Sequence, residues 1–208
     1  YTADSITLKC DADDFRLPSD SPWTDHTTLW DLYDKAHTPW EWHADIFREA
    51  RKLGIDVFSS PFDESAVDLL ENLNVPAYKI ASPEITHIPL LEKVARTGKP
   101  IVVSTGVADL NDIELALATL RKAGATDIIL LKCTTAYPAP IEESNLLTIS
   151  DMISRFGVLA GLSDHTIGTA TAIASVALGA SFIEKHFNLD DEQETVDSFF
   201  SSGEQEFT

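Results

Sequence analysis

The chain has few cysteines, few basic residues and no long apolar run. Cys10 and Cys133 are the only two thiols in 208 residues, too few and too far apart for a disulfide framework or a zinc knuckle. A reducing cytoplasm suits such a chain. No apolar stretch approaches the roughly 20 residues that span a bilayer, and no signal-peptide pattern opens the sequence. With 15 Lys and Arg against 34 Asp and Glu, the formal charge is −19. That balance argues against nucleic acid and anionic membranes as partners, because both need a basic face. It also means that an anionic substrate must be held by a few local donors against the field of the whole protein.

What is present is an ordinary globular composition, 44% hydrophobic and 24% charged. The length suffices for one core that buries on the order of 70% of the unfolded surface. The first residue is not methionine, and "YTADSITLKC" begins as though a strand had just ended. At the other end "SSGEQEFT" reads as a helix start, with Ser202 as cap and Glu204 and Glu206 in the first turn. The expectation is a piece of a longer protein.

Short aliphatic or β-branched runs recur at residues 57–59, 77–80, 101–103, 128–131, 158–162 and 182–184. Helical patterns with their own punctuation separate them. Pro39 behind Thr38, with Glu41 completing a capping box, predicts a helix that Gly54 ends. "DESAVDLLENLN" puts Val67, Leu70 and Leu73 on one face and stops at Asn74. "HIPLLEKVARTG" and "LNDIELALATLRKAG" end at Gly98 and Gly124, and "TIGTATAIASVALGA" predicts a closely packed helix of small residues. Strand and helix in alternation give right-handed βαβ units and a parallel sheet. An open doubly wound sheet and a barrel both satisfy this pattern. No glycine-rich dinucleotide turn follows any run, and polar residues gather where the runs end, as they do at the mouth of a barrel. The expected fold is therefore α/β, a (β/α)8 TIM barrel present over 1–208 as an incomplete piece with about six of eight strands. Its first two strands and last helix are absent.

Two of the runs finish in a histidine flanked by charge: "GLSDHTIG" at His165 and "FIEKHF" at His186. One histidine at a strand end is most often a satisfied structural group. Two that end neighbouring strands bring their imidazoles within reach of one ion, and neutral imidazole suits Mn, Fe, Co or Zn. Asp164 and Glu184 are the expected acceptors that orient the rings. Lys79, between "VPAY" and "IAS", either snorkels from its strand end or points into the mouth. There Ser60, Ser82 and Ser104 would help it hold a phosphate or carboxylate; a Schiff base is the other chemistry open to it. Alternation turns Lys185 away from Glu184 and His186, toward helices or solvent. Trp23, Trp30, Trp40 and Trp42 read as helix-packing residues, and "LDDEQETVD" as a solvated loop whose end, Asp197 and Ser198, folds over the mouth.

"FSSPF", "AYKIAS", "VSTG", "KCTTAYPAP", "GLSDHTIG", "ALGASFIEKHF" and "DSFFSS", in that order, resemble the sialic acid synthase family throughout the chain. "YTAD" and "TPWEWH" resemble its pseudaminic acid synthase branch, as does a hydroxyl at Thr135, where sialic acid synthases carry asparagine. The resemblance implies a phosphoenolpyruvate-dependent condensation with an open-chain amino sugar to a nine-carbon keto acid, releasing phosphate. It implies a divalent metal, Mn or Mg, on His165 and His186, and phosphoenolpyruvate against Ser60, Lys79, Ser82, Ser104, Thr135 and Ser163. Glu84, Tyr137 and Asp197 match positions that contact the sugar or assist its ring opening. A homodimer sharing active sites is implied too. The family's glutamate, lysine and glutamine from the first two strands and its C-terminal antifreeze-like domain are not in this sequence, so the isolated chain is expected to be inactive. A metal-dependent barrel hydrolase and a non-catalytic binding fragment remain the other readings of the same residues.

Overall fold

The computed structural model describes residues 1–19, 21, 23, 27–189, 195 and 197–208. Its contacts divide it into two units, Tyr1–Pro76 and Ala77–Thr208.

The first unit is helical: α1 (Ala3–Ile6), α2 (Leu29–Ala36), α3 (Trp40–Leu53) and α4 (Glu64–Asn72). α2 and α4 begin where Thr28 and Asp63 accept a hydrogen bond from the N–H groups of Asp31 and Ala66, the usual remedy for orphaned first-turn donors. The start of α3 differs from expectation. Pro39 has φ −53 and ψ 135, so it stands outside the helix as its N-cap and makes no side-chain capping bond. Moving the cap from Thr38 to Pro39 leaves Glu41 one position short of N3, and no capping box forms. The other end is as predicted: Gly54 takes φ 71, which an L side chain resists, and its N–H reaches the carbonyls of Ala50 and Arg51. Asn74 takes φ 52 just past α4. The strand expected at 57–59 is reduced to a single bridge residue, Ser59; Pro61, two residues on, has no ladder donor to extend it. Of the tryptophans, Trp30 donates to Asp4 Oδ1 at 2.9 Å beneath Lys9, while Trp42 is exposed rather than packed.

The second unit holds a parallel sheet of five strands in sequential order: β1 (Tyr78–Ile80), β2 (Ile101–Ser104), β3 (Ile128–Cys133), β4 (Leu159–Asp164) and β5 (Ile183–Lys185). A doubly wound sheet reverses its strand order at a switch point. This one does not, and an incomplete (β/α)8 barrel is the architecture that remains. Helices α5 (Ile88–Ala95), α6 (Leu110–Lys122), α7 (Leu147–Phe156) and α8 (Ala170–Ala177) follow the first four strands in turn. Leu90, Leu91, Leu117, Leu120, Ile149 and Met152 from α5, α6 and α7 are almost wholly buried, as are Tyr78, Ile80, Ile101 and Leu130 of the strands. α8 buries Thr171, Ala172 and Ser175 but leaves Ile173 and Val176 exposed.

The end of the chain also departs from expectation. α9 (Glu204–Phe207) is capped by Gly203, because Ser202 is taken up elsewhere. Ser202 bridges Phe187 in parallel, its N–H donating to the His186 carbonyl at 2.9 Å and its carbonyl accepting from Asn188 at 3.0 Å. The segment before it is thereby laid against the end of β5. Among the described residues no helix is long and apolar enough to cross a membrane.

Candidate active site

Strand register decides which side chains meet. Ser163 pairs with Glu184 and Asp164 with Lys185 across β4 and β5. Partners in register share a face, and neighbours along a strand alternate. Ser163, His165, Glu184 and His186 therefore occupy one face, and Asp164 and Lys185 the other.

On the first face the two imidazoles converge, with ring centroids 5.3 Å apart in an edge-to-face arrangement. His165 is buried, and its Nδ1 lies 2.9 Å from the Thr134 carbonyl. A carbonyl only accepts, so this nitrogen carries the proton, and in the neutral ring the lone pair is on Nε2. Burial works to lower His165, but contacts with Cys133 and the Thr134 carbonyl hold it above its ordinary value. Burial lowers His186, the neighbouring His165 adds to this, and Asp197, whose Oδ2 is 3.5 Å from Nδ1, only partly offsets it. Tyr137 lies over His165 at 4.4 Å between ring centres, and Phe200 over His186 at 4.7 Å.

Beside them, Lys79 Nζ meets Glu184 Oε1 at 3.3 Å, and the same oxygen accepts from Ser163 Oγ at 2.7 Å. The two carboxylates expected to orient the histidines thus do something else: Glu184 is the counter-charge of Lys79, and Asp164 faces away. The partners that do orient the rings are the Thr134 carbonyl and Asp197. Glu84 is pushed up to about 7 by burial, which outweighs its own backbone N–H and the positive charge of Lys79. Its Oε2 is buried without a hydrogen-bond partner, and so is Ser104 Oγ at the end of β2.

A third group surrounds Gly106. Its N–H donates to Ser82 Oγ at 3.0 Å, which leaves the hydroxyl proton of Ser82 free to be donated onward. A Cβ on Gly106 would stand 2.1 Å from Thr135 Oγ1 and 3.0 Å from Ser82 Oγ and Cys133 Sγ. Burial opposes ionisation of Cys133, but contacts with His165, Ser82 and Thr135 bring its thiol down to about 7.

The residues proposed from sequence thus gather around the ends of β1 to β5, with one exception. Ser60 belongs to the Tyr1–Pro76 unit, where it is half-buried ahead of Pro61. Most of the acidic loop, residues 190–194 and 196, lies outside the described residues. Gly106, Cys133 and Phe200 were not anticipated. "VSTG" carried a signal for the first, a glycine directly after two strand-end hydroxyls; an isolated thiol and an apolar ring carried none. No group of three or more His, Cys, Asp or Glu side chains is arranged for a metal among the described residues.

Hydroxyls, a paired lysine and two imidazoles gather at the C-terminal ends of the parallel strands, the end at which barrel enzymes collect their chemistry. The NeuB family model matches residues 1–208, and the chain belongs to that family. It is 49% identical to the pseudaminic acid synthase of Helicobacter pylori over 97% of its length and 58% of the relative's. A Campylobacter jejuni N,N'-diacetyllegionaminic acid synthase is 47% identical over 71% of the chain and 45% of that protein. The crystal structure of the N-acetylneuraminic acid synthetase of Leptospira borgpetersenii, in complex with citrate, superposes with a TM-score of 0.82 at 31% identity. It covers 86% of this chain and 62% of that one. The greater extent of similarity lies on the pseudaminic acid branch. The chain spans about three fifths of the Helicobacter relative's length.

Proposed function

We propose that the protein joins phosphoenolpyruvate to an open-chain N-acetylated amino sugar, making a nine-carbon nonulosonic acid, pseudaminic acid, and phosphate. The observation that carries this is the convergence of His165 and His186 beside the Lys79–Glu184 pair at one end of the sheet. Lys79, the hydroxyls of Ser82, Ser104, Thr135 and Ser163, and the Gly106 loop are the local donors that an anion needs in so acidic a chain. The orphaned Ser104 hydroxyl supports a ligand there, because a buried polar atom with no partner is costly.

Glu84, Tyr137 and Asp197 are assigned to the sugar. Glu84 titrates at about 7 and is therefore suited to carry a proton to or from a sugar oxygen near neutral pH. Carbon three of the enol attacks the aldehyde carbon, and the aldehyde oxygen takes up a proton. Water adds at carbon two with loss of one proton; the carbon–oxygen bond to phosphate then breaks with both electrons leaving on phosphate, while the new hydroxyl gives up its proton and becomes the keto group. Tyr137 packs on the buried ring of His165 and Phe200 on the partly exposed ring of His186.

The donor set fits a divalent metal: neutral His165 presents Nε2, burial favours the uncharged form of His186, and the rings are close. Imidazole donors favour manganese over magnesium. When bound, the ion supplies Lewis acidity to an acceptor carbonyl, with positions left open by only two protein ligands. A homodimer sharing its sites and a cytoplasmic location complete the proposal; the free state of Cys10 and Cys133 supports the latter.

The test is phosphate release by the intact protein with phosphoenolpyruvate, manganese and either a 2,4-diacetamido-trideoxy hexose or N-acetylmannosamine. The first sugar should be preferred by about 10-fold or more, the ~1–3 kcal/mol that apolar room for a methyl supplies. His165→Ala and His186→Ala should abolish turnover. A preference for N-acetylmannosamine would overturn the branch, and wild-type turnover without both rings would overturn the metal.

A further inference from the structure

Behind the histidines, on the opposite face of β4 and β5, lies a buried ionic network that the chemistry above does not use. Lys185 Nζ is 3.0 Å from Asp164 Oδ2, and the two side chains are 5% and 1% exposed. Lys185 Nζ also donates to the Thr166 carbonyl at 2.7 Å. Asp164 Oδ1 in turn accepts from the Thr166 N–H at 3.0 Å and from Thr166 Oγ1 at 2.8 Å. Thr166 Oγ1 is also within 3.1 Å of Thr171 Oγ1, in the first turn of α8.

The sequence positions give this network its meaning. Asp164 and Thr166 flank His165, and Lys185 immediately precedes His186. Lys185 therefore ties the backbone just before one histidine to the backbone just after the other. Both strands end here: β4 stops at Asp164 and β5 at Lys185. Beyond them, among the described residues, the ladder between the two strands does not continue to the imidazoles, which stand 5.3 Å apart. A buried ion pair contributes little net stability compared with apolar side chains of the same volume, so folding alone gives it weak justification.

We propose that Asp164, Lys185 and Thr166 form a clamp that positions His165 and His186 for their shared ligand. These are positioning residues: they touch neither substrate nor metal and act through the backbone of the histidines. The proposal rests on the functional reading above in its choice of ligand, but the clamp itself can be tested without metal.

Removing one partner alone would strand a buried charge and risk unfolding. The informative variant is the double change Asp164→Asn with Lys185→Met, made in the intact protein. It should melt close to wild type and bind phosphoenolpyruvate with unchanged affinity. Manganese, titrated by electron paramagnetic resonance, should bind about 10–100-fold more weakly, the usual effect of losing a group that orients metal ligands. In metal-free protein with 15N-labelled histidine, the Nδ1 proton held between His165 and Thr134 should exchange with solvent faster. Thr166→Val, which removes one hydroxyl and no charge, should shift both readouts in the same direction and keeps the test open should the double variant not fold. Wild-type manganese affinity together with an unchanged His165 signal in the folded variants would overturn the clamp. If the wild-type protein itself binds no manganese, the metal reading falls, and the imidazole signal alone decides the clamp.

Discussion

Gly106→Ala tests the proposed anion cradle. The glycine's N–H is bonded to Ser82 Oγ at 3.0 Å, and an added methyl would stand 2.1 Å from Thr135 Oγ1. No real Cβ tolerates that distance, so something must move. Gly106 does not need a left-handed backbone, and Thr135 is exposed, so its hydroxyl can rotate away at little cost. The fold should survive with a loss of about 1 kcal/mol, near the typical effect of a point change. The site should not. Rotating Thr135 takes one donor out of the cradle, and pressing on Ser82 Oγ, 3.0 Å from the new carbon, disturbs a second. A hydrogen bond to a charged group contributes about 1.5–3 kcal/mol, which corresponds to roughly 10–100-fold in the Kd of phosphoenolpyruvate for the first donor alone. The assay is calorimetric titration of phosphoenolpyruvate into the intact protein, beside Thr135→Ala and the double variant. If the methyl acts by expelling the Thr135 hydroxyl, the double variant should bind little worse than Thr135→Ala, a strongly non-additive cycle. Unchanged binding by Gly106→Ala, or fully additive losses, would refute this reasoning.

Two further outcomes are expected. Glu84 titrates at about 7 instead of 4.5, so between those values the folded protein binds more protons than the unfolded chain. Stability should therefore fall as pH rises through that window and stay lower above it, by on the order of 1–2 kcal/mol after solvent screening. Glu84→Gln should remove that slope in urea denaturation at pH 5 and pH 8, and a slope unchanged in the variant would mean that another group is responsible. Phe200 is 3% exposed and packs on both histidine rings and Tyr137. Phe200→Ala should cost about 3 kcal/mol, and Phe200→Leu most of that less, read by thermal unfolding; equal stability of all three would show that the ring packs loosely.

Much of this protein is written in local patterns. Strand and helix each have their own hydrophobic period, so the order of elements and the parallel sheet were legible along the chain, and every expected strand but the one at 57–59 forms a ladder. The same period-two alternation turns Lys185 away from Glu184 and His186. Helix ends at Gly54 and Asn74 were legible for a similar reason, because their backbone angles are a property of single residues. The start of α3 was not, since one residue decides whether Thr38 or Pro39 caps it, and such boundaries depend on what the turn packs against.

What the chain order could not settle is which charged group meets which. Glu184 could have served His186, its neighbour but one, yet it is drawn to Lys79, which lies four strands away across the sheet. Asp164 could have served His165, yet register delivers it to Lys185. Burying a charge is costly unless an opposite charge reaches it, and which opposite charge reaches it depends on strand register and sheet curvature. Phe200 illustrates the same limit, since its ring reaches His186 where Ser202 bridges Phe187, a pairing between residues far apart in the chain. Period and propensity act over a few residues and can be read in sequence; pairing across a sheet acts through space, and only the tertiary structure decided it.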